Sequence, residues 1–142
     1  MELIRDNLPA AFDLAEAAKS ITALAIYRAV FIHSDDPIVV LNAKGEIVDC
    51  SISFANLLKT TRAHLEGKYL FDFVAAYDKQ RTQEKFSELA RTGKTLTTPF
   101  YNDYVAVDDS IVPLVWRTTY DYWILSETEQ YTVGYCNRRN KP

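Results

Sequence analysis

A chain of 142 residues and 16.2 kDa is the size of one domain with a real core. Its formal charge of −3 lacks the concentrated positive surface that nucleic-acid binding needs. A hydrophobic share of 48% and a charged share of 25% are those of an ordinary folded protein, and they exclude a disordered or membrane-embedded chain.

The N-terminal stretch has no charged leader followed by an apolar run and a cleavage site, and Ile21 to Ile32 is short and broken by Arg28. Neither export nor a membrane anchor is expected. Asn7 as N-cap and Pro9 in the first turn open a helix predicted over Ala10 to about Ile32. Leu14, Ala17, Ile21, Leu24 and Phe31 fall on one face of it. Arg28 in that seam argues against a strong coiled coil. The helix either covers the chain's own sheet or pairs with the same helix of a second copy, and Phe12, Ile26 and Val30 form a second flank for the other contact.

Ser34-Asp35-Asp36-Pro37 stops the helix. Ile38 to Leu41 and Glu46 to Cys50 read as two antiparallel strands around the turn Asn42-Ala43-Lys44-Gly45. Ser51 to Val74 reads as short helices joined by turns around Gly67. A longer helix is predicted from about Ala76 to Arg91, with Phe86, Leu89 and Ala90 on a narrow apolar face and Gly93 ending it. Thr95 to Val107, Ile111 to Tyr122 and Tyr131 to Asn137 are β-branched and aromatic, and predict three strands in a meander. The layout is α+β, not the alternating order of a doubly wound sheet. Arg138, Arg139 and Lys141 read as a solvated basic end.

Across about Phe31 to Arg138 this order, with Asp36-Pro37-Ile38-Val39-Val40-Leu41-Asn42, Gly45-Glu46-Ile47-Val48, Ser53-Phe54-Ala55-Asn56-Leu57-Leu58 and Leu65-Glu66-Gly67-Lys68, resembles the PAS family of sensor domains. The resemblance implies a five-stranded antiparallel sheet covered on one face by short helices, here as a domain over 35–142 preceded by an amphipathic helix over 1–34. It also implies a cytoplasmic sensory module that dimerises, accommodates a small apolar ligand between sheet and helices, and regulates a downstream partner without catalysis. Val133-Gly134-Tyr135 looks like the family's last strand. The family often continues with an Asp-containing motif, where this chain has Cys136-Asn137-Arg138-Arg139.

The family's cofactor branches find little here. The helical middle has no cysteine for a flavin adduct. No histidine lies in Asp78 to Arg91, where a haem ligand belongs, and the only histidines are His33 and His64. Cys50 lacks the partners of a chromophore thioester. Cys50 and Cys136 have no CxxC spacing and read as buried thiols in a reducing, cytoplasmic setting.

A ligand would lie in an apolar cavity with a few polar groups. Strand alternation puts Val112, Leu114, Trp116, Thr118 and Tyr120 on one face, and Ile111, Val115, Arg117 and Thr119 on the other. The candidate lining is Leu114 and Trp116 with Phe54, Leu58, Leu70, Phe71, Phe73, Tyr104 and Tyr135. These aromatics also suffice to fill a core without a ligand. Tyr120, Tyr122 and Trp123 are large groups that need a cover, so they join Leu14, Ile21 and Leu24 as a candidate homodimer interface.

Asp35-Asp36 and Asp108-Asp109 are adjacent in turns and make poor acid–base pairs. No nucleophile elbow, zinc-protease motif or phosphate loop is present. The rival is a cone-shaped α+β enzyme or binding protein of the ketosteroid isomerase and nuclear transport factor kind, for which Asp72, between Phe71 and Phe73, would have to be a base in an apolar pocket.

Overall fold

The structure is a computed structural model, and it describes residues 14–93, 96–124 and 129–139, excepting the side chains at 14, 118, 120–124 and 129. The chain forms two units, Met1–Phe31 and Ile32–Pro142. In the first, helix α1 (Leu14–Ile32) runs without glycine or proline through an alanine-rich sequence of high helical propensity. Ile21, Leu24, Ile26, Tyr27 and Val30 are all exposed on it. The expected helix start at Asn7 to Ala10, and Phe12, lie outside the described residues.

The second unit opens with β1 (Ile38–Asn42) and β2 (Ile47–Cys50), paired antiparallel. Their turn closes because Gly45 takes φ 85° while the Asn42 side-chain oxygen accepts from the amides of Lys44 and Glu46, each at 3.0 Å. After β2, the buried Ser51 hydroxyl accepts from Phe54 N at 3.2 Å, capping α2 (Ile52–Leu57), and from Ile38 N at 3.0 Å, tying that helix start to β1. Helix α3 (Arg62–Leu65), a 3-10 turn (Leu70–Phe73) and α4 (Ala76–Thr92) follow, and Gly93 ends α4 in the left-handed conformation.

Strands β3 (Phe100–Val105), β4 (Ile111–Ile124) and β5 (Glu129–Arg138) complete a five-stranded sheet of order β2-β1-β5-β4-β3, with all pairings antiparallel. The expected strand at Thr95 begins only at Phe100, past Pro99, which has no N–H to give a ladder. Both sheet edges are occupied. Ile47 on β2 exchanges backbone bonds with Gly67 and Lys68 at 2.7–2.8 Å. On β3, Asp103 O accepts from Ala75 N (2.9 Å), Asp103 N donates to the Asp78 carboxylate (2.8 Å), and Tyr101 O accepts from the Arg81 guanidinium (2.6 Å).

One sheet face carries the core. Val39, Leu41, Ile47, Tyr104, Leu114 and Trp116 meet Phe54, Leu58, Leu65 and Leu89 from the helices. A bulge between Trp116 and Thr118 makes Arg117 an extra residue on β4. The alternation Val112, Leu114, Trp116 therefore continues at Thr119, which lines the core-side cavity, where unbroken alternation predicts the opposite face for it. Arg138 and Arg139 are exposed, and the Arg139 guanidinium lies 5.1 Å from the Tyr101 ring centre.

Candidate functional site

Asn102 on β3 is only 3% exposed, and a buried amide needs partners for both ends. Its amide nitrogen donates to the Thr82 hydroxyl on α4 (3.1 Å) and to the Tyr104 hydroxyl two residues along β3 (3.2 Å). Its oxygen accepts from the indole N–H of Trp116 on β4 (3.0 Å), which can only donate. One side chain thus joins a helix to two strands. Burial pushes the Tyr104 hydroxyl above the ordinary phenol range, keeping it neutral.

Two glycines let aromatic rings close over this cluster. At Gly134 on β5 an added Cβ would stand 2.8 Å from Trp116 Cζ3, and at Gly45 it would stand 2.6 Å from Phe71 Cε2. Trp116 therefore lies directly on the β5 backbone, with its ring 6.1 Å from that of Tyr104 and 6.2 Å from that of Phe54. Phe71 lies on the β1–β2 turn and meets Phe86 of α4 edge-on at 5.2 Å.

Between these rings is a cavity of about 60 Å³. The sheet contributes Val39, Leu41, Phe100, Asn102, Tyr104, Trp116, Thr119, Thr132 and Gly134; the helical layer contributes Leu70, Phe71, Thr82, Lys85, Phe86 and Leu89, with Leu96 from the following loop. Phe71 and Phe86 also border a surface pocket with Lys44, Tyr69 and Gln83, so this pair stands between the interior and the outside.

Of the expected lining, Leu70, Phe71, Tyr104 and Trp116 face the cavity. Phe54, Leu58 and Leu114 are buried in the core beside it, and Phe73 packs against that core. Tyr135 alternates with the buried Gly134 and Cys136, which places it on the opposite face of β5. Sequence reading missed Asn102, although its i, i+2 spacing from Tyr104 was a usable signal. It also missed Thr82, Lys85 and Gly134. Of the candidate interface, Ile21 and Leu24 are exposed on α1. Tyr120, Tyr122 and Trp123 pair along the backbone with Val133, Tyr131 and Gln130, while their side chains and that of Leu14 lie outside the described residues.

Asp72 is exposed, with its carboxylate 3.7 Å from Lys79 Nζ, so it is not the enclosed acid that the cone-shaped enzyme reading requires. His33 and His64 are exposed and away from the cavity lining. Cys50 and Cys136 are buried free thiols, and burial pushes Cys50 up to about 11. Among the described residues no His, Cys, Asp and Glu cluster could hold a metal, and no helix is long and apolar enough to cross a membrane.

The sequence profile of the PAS domain matches residues 35–120. In three dimensions the chain is similar to the PAS domain of an HTR-like protein from Haloarcula marismortui, with TM-score 0.73 and 18% identity over 89% of this chain and 100% of that one. It is similar also to the PAS domain of a Colwellia psychrerythraea protein, with TM-score 0.70 and 16% identity over 84% of this chain and 99% of that one. A PAS domain from a two-component sensor histidine kinase matches with TM-score 0.66 and 10% identity over 86% and 99% of the two chains. No curated protein sequence matches.

Proposed function

We propose, from the premise that this chain belongs to the PAS domain family of sensory and signalling modules, that it senses a small molecule in the cavity beneath α4 and relays occupancy to a partner protein or domain. The observation that carries this reading is the cavity itself: an apolar space left open beside a satisfied polar cluster, where close packing would ordinarily leave none. About 60 Å³ admits a few non-hydrogen atoms. The wild-type Drosophila melanogaster Cycle PAS-B domain, similar in fold with TM-score 0.65 and 10% identity, has been solved with bound ethylene glycol, a molecule of that scale. Relay to a kinase-type partner is supported by the likeness to a PAS domain from a two-component sensor histidine kinase.

The deciding experiment joins native mass spectrometry of protein purified from its host with thermal unfolding against a panel of small molecules. A sensor carries a small molecule or melts higher with one of them, because a ligand that binds only the folded state stabilises it. A chain that carries nothing and gains nothing from any compound has a passive packing defect there.

A homodimer is part of the same proposal. Ile21 and Leu24 on α1 leave apolar surface in water that a second copy would cover, together with Leu14 and the Tyr120, Tyr122 and Trp123 segment of β4. Sedimentation should give a dimer at micromolar concentration, and Ile21→Glu with Leu24→Glu should give a monomer. A wild-type chain that stays monomeric at high concentration removes this part and leaves the cavity reading standing.

A further inference from the structure

We infer that the cavity takes a small monoanion, its charged end at Lys85 and its short apolar body against the Trp116 side; this rests on the reading of the cavity as a ligand site. The polar atoms deepest in the wall are already bonded to one another. Both donor directions of the Asn102 amide go to Thr82 and Tyr104, and its oxygen takes the Trp116 N–H. An incoming polar group that broke into this cluster would have to replace every bond it displaced. The cavity wall otherwise presents almost wholly apolar surface, which by itself does not separate a neutral from a charged head group.

Charge is what separates the two ligand classes, and among the described residues Lys85 is the one charged residue on the lining. It sits on the same face of α4 as Thr82 and Leu89, three and four residues away. About a third of its side chain is exposed, which puts the stem along the wall and the ammonium toward the mouth. The Glu88 carboxylate, more than half exposed, is 3.8 Å from the ammonium, beyond hydrogen-bond distance. The ammonium, with three donors, thus retains capacity for a carboxylate at a partly desolvated mouth, where a charge pair is stronger than in bulk water. Among the described residues no carboxylate lines the cavity itself, and Glu88, outside the lining, is the acid with which an incoming anion competes for the ammonium.

The test is an NMR titration of the full chain with butyrate and with its neutral isostere butyramide, at matched ionic strength. Butyrate should bind the wild type about tenfold more tightly than butyramide, the order expected for one charge-assisted contact. Lys85→Met, which keeps an apolar stem, should weaken butyrate about tenfold and leave butyramide within about twofold, and Lys85→Arg should retain butyrate binding. Equal affinity for the two compounds in the wild type, or undiminished butyrate binding in Lys85→Met, overturns the anion assignment while the cavity survives as a neutral ligand site. If neither compound binds, even to Phe71→Ala with its mouth widened, the anion assignment falls, while the ligand-site reading is decided by native mass spectrometry and the melting panel.

Discussion

Asn102 concentrates more of the fold in one side chain than its short, polar character suggests. Replacing it with leucine keeps the volume but leaves the Trp116 N–H without its acceptor and Thr82 and Tyr104 without their donor, all in a buried place. Orphaned buried groups cost about 1–3 kcal/mol each, so a loss of about 2–4 kcal/mol is expected in urea unfolding, against about 1 kcal/mol for Thr82→Val. Equal effects of the two substitutions would mean that the amide is no hub. Gly134 is constrained from the opposite side. Alanine there would put a Cβ 2.8 Å from the Trp116 ring, and shifting a ring in a packed core costs about 1–3 kcal/mol. Gly134→Ala in a Trp116→Leu background should cost much less, and additive effects in that double-mutant cycle would sink the claim that the two residues are coupled.

Between elements, the contact that sequence patterns hid is the clasp of α4 on β3. Asp78, in the first turn of α4, accepts from Asp103 N at 2.8 Å and from Arg81 at 2.9 Å, so the helix start closes the exposed edge of the strand. Asp78→Ala should cost about 1–3 kcal/mol and speed hydrogen exchange at the Asp103 amide selectively, with β5 amides keeping their protection relative to global unfolding. A uniform change in exchange would refute the clasp. The elements themselves were legible: the β1–β2 hairpin, α4 with its glycine stop, and three late strands follow from periodicity and turn chemistry, both of which are local. The backbone amide that Asp78 serves was not, since nothing nearby in sequence names Asp103. Arg117 shows the limit from another direction. A single bulged residue shifts the alternation along β4, and counting across it puts Thr119 on the wrong face. Tyr135 has no such excuse. Its neighbours Gly134 and Cys136 are small buried residues on the Trp116 side, so parity along β5 turns the ring between them the other way.

At the scale of the molecule, β5 lies at the centre of the sheet, between the first hairpin and β4, so the two ends of this unit's sequence are joined through it. Losing β5 strips the inner neighbour from both halves at once, and opening should therefore be all-or-none in the unit Ile32–Pro142. The buried thiols report on it from two places, Cys50 at the end of edge strand β2 and Cys136 on β5. With Cys50 pushed up to about 11 by burial, almost none of it is thiolate near neutral pH, and Ellman's reagent should reach either cysteine only through unfolding. The same shift contributes to the alkaline limb of stability, alongside the buried Cys136 thiol and Tyr104 hydroxyl, which burial also pushes up. The unfolded thiol gives up its proton first, so from about pH 9 upward the unfolded chain binds fewer protons than the folded one and stability falls as pH rises. Urea midpoints should accordingly drop between about pH 8 and pH 10.5, less so in Cys50→Ala. In a urea series at constant pH, the labelling of Cys50, the labelling of Cys136 and the fluorescence of Trp116 in a Trp123→Phe background should follow one curve. Cys50 reacting at lower urea than the other two would mean that the β1–β2 hairpin opens independently, and that the central strand does not bind the halves into one cooperative unit.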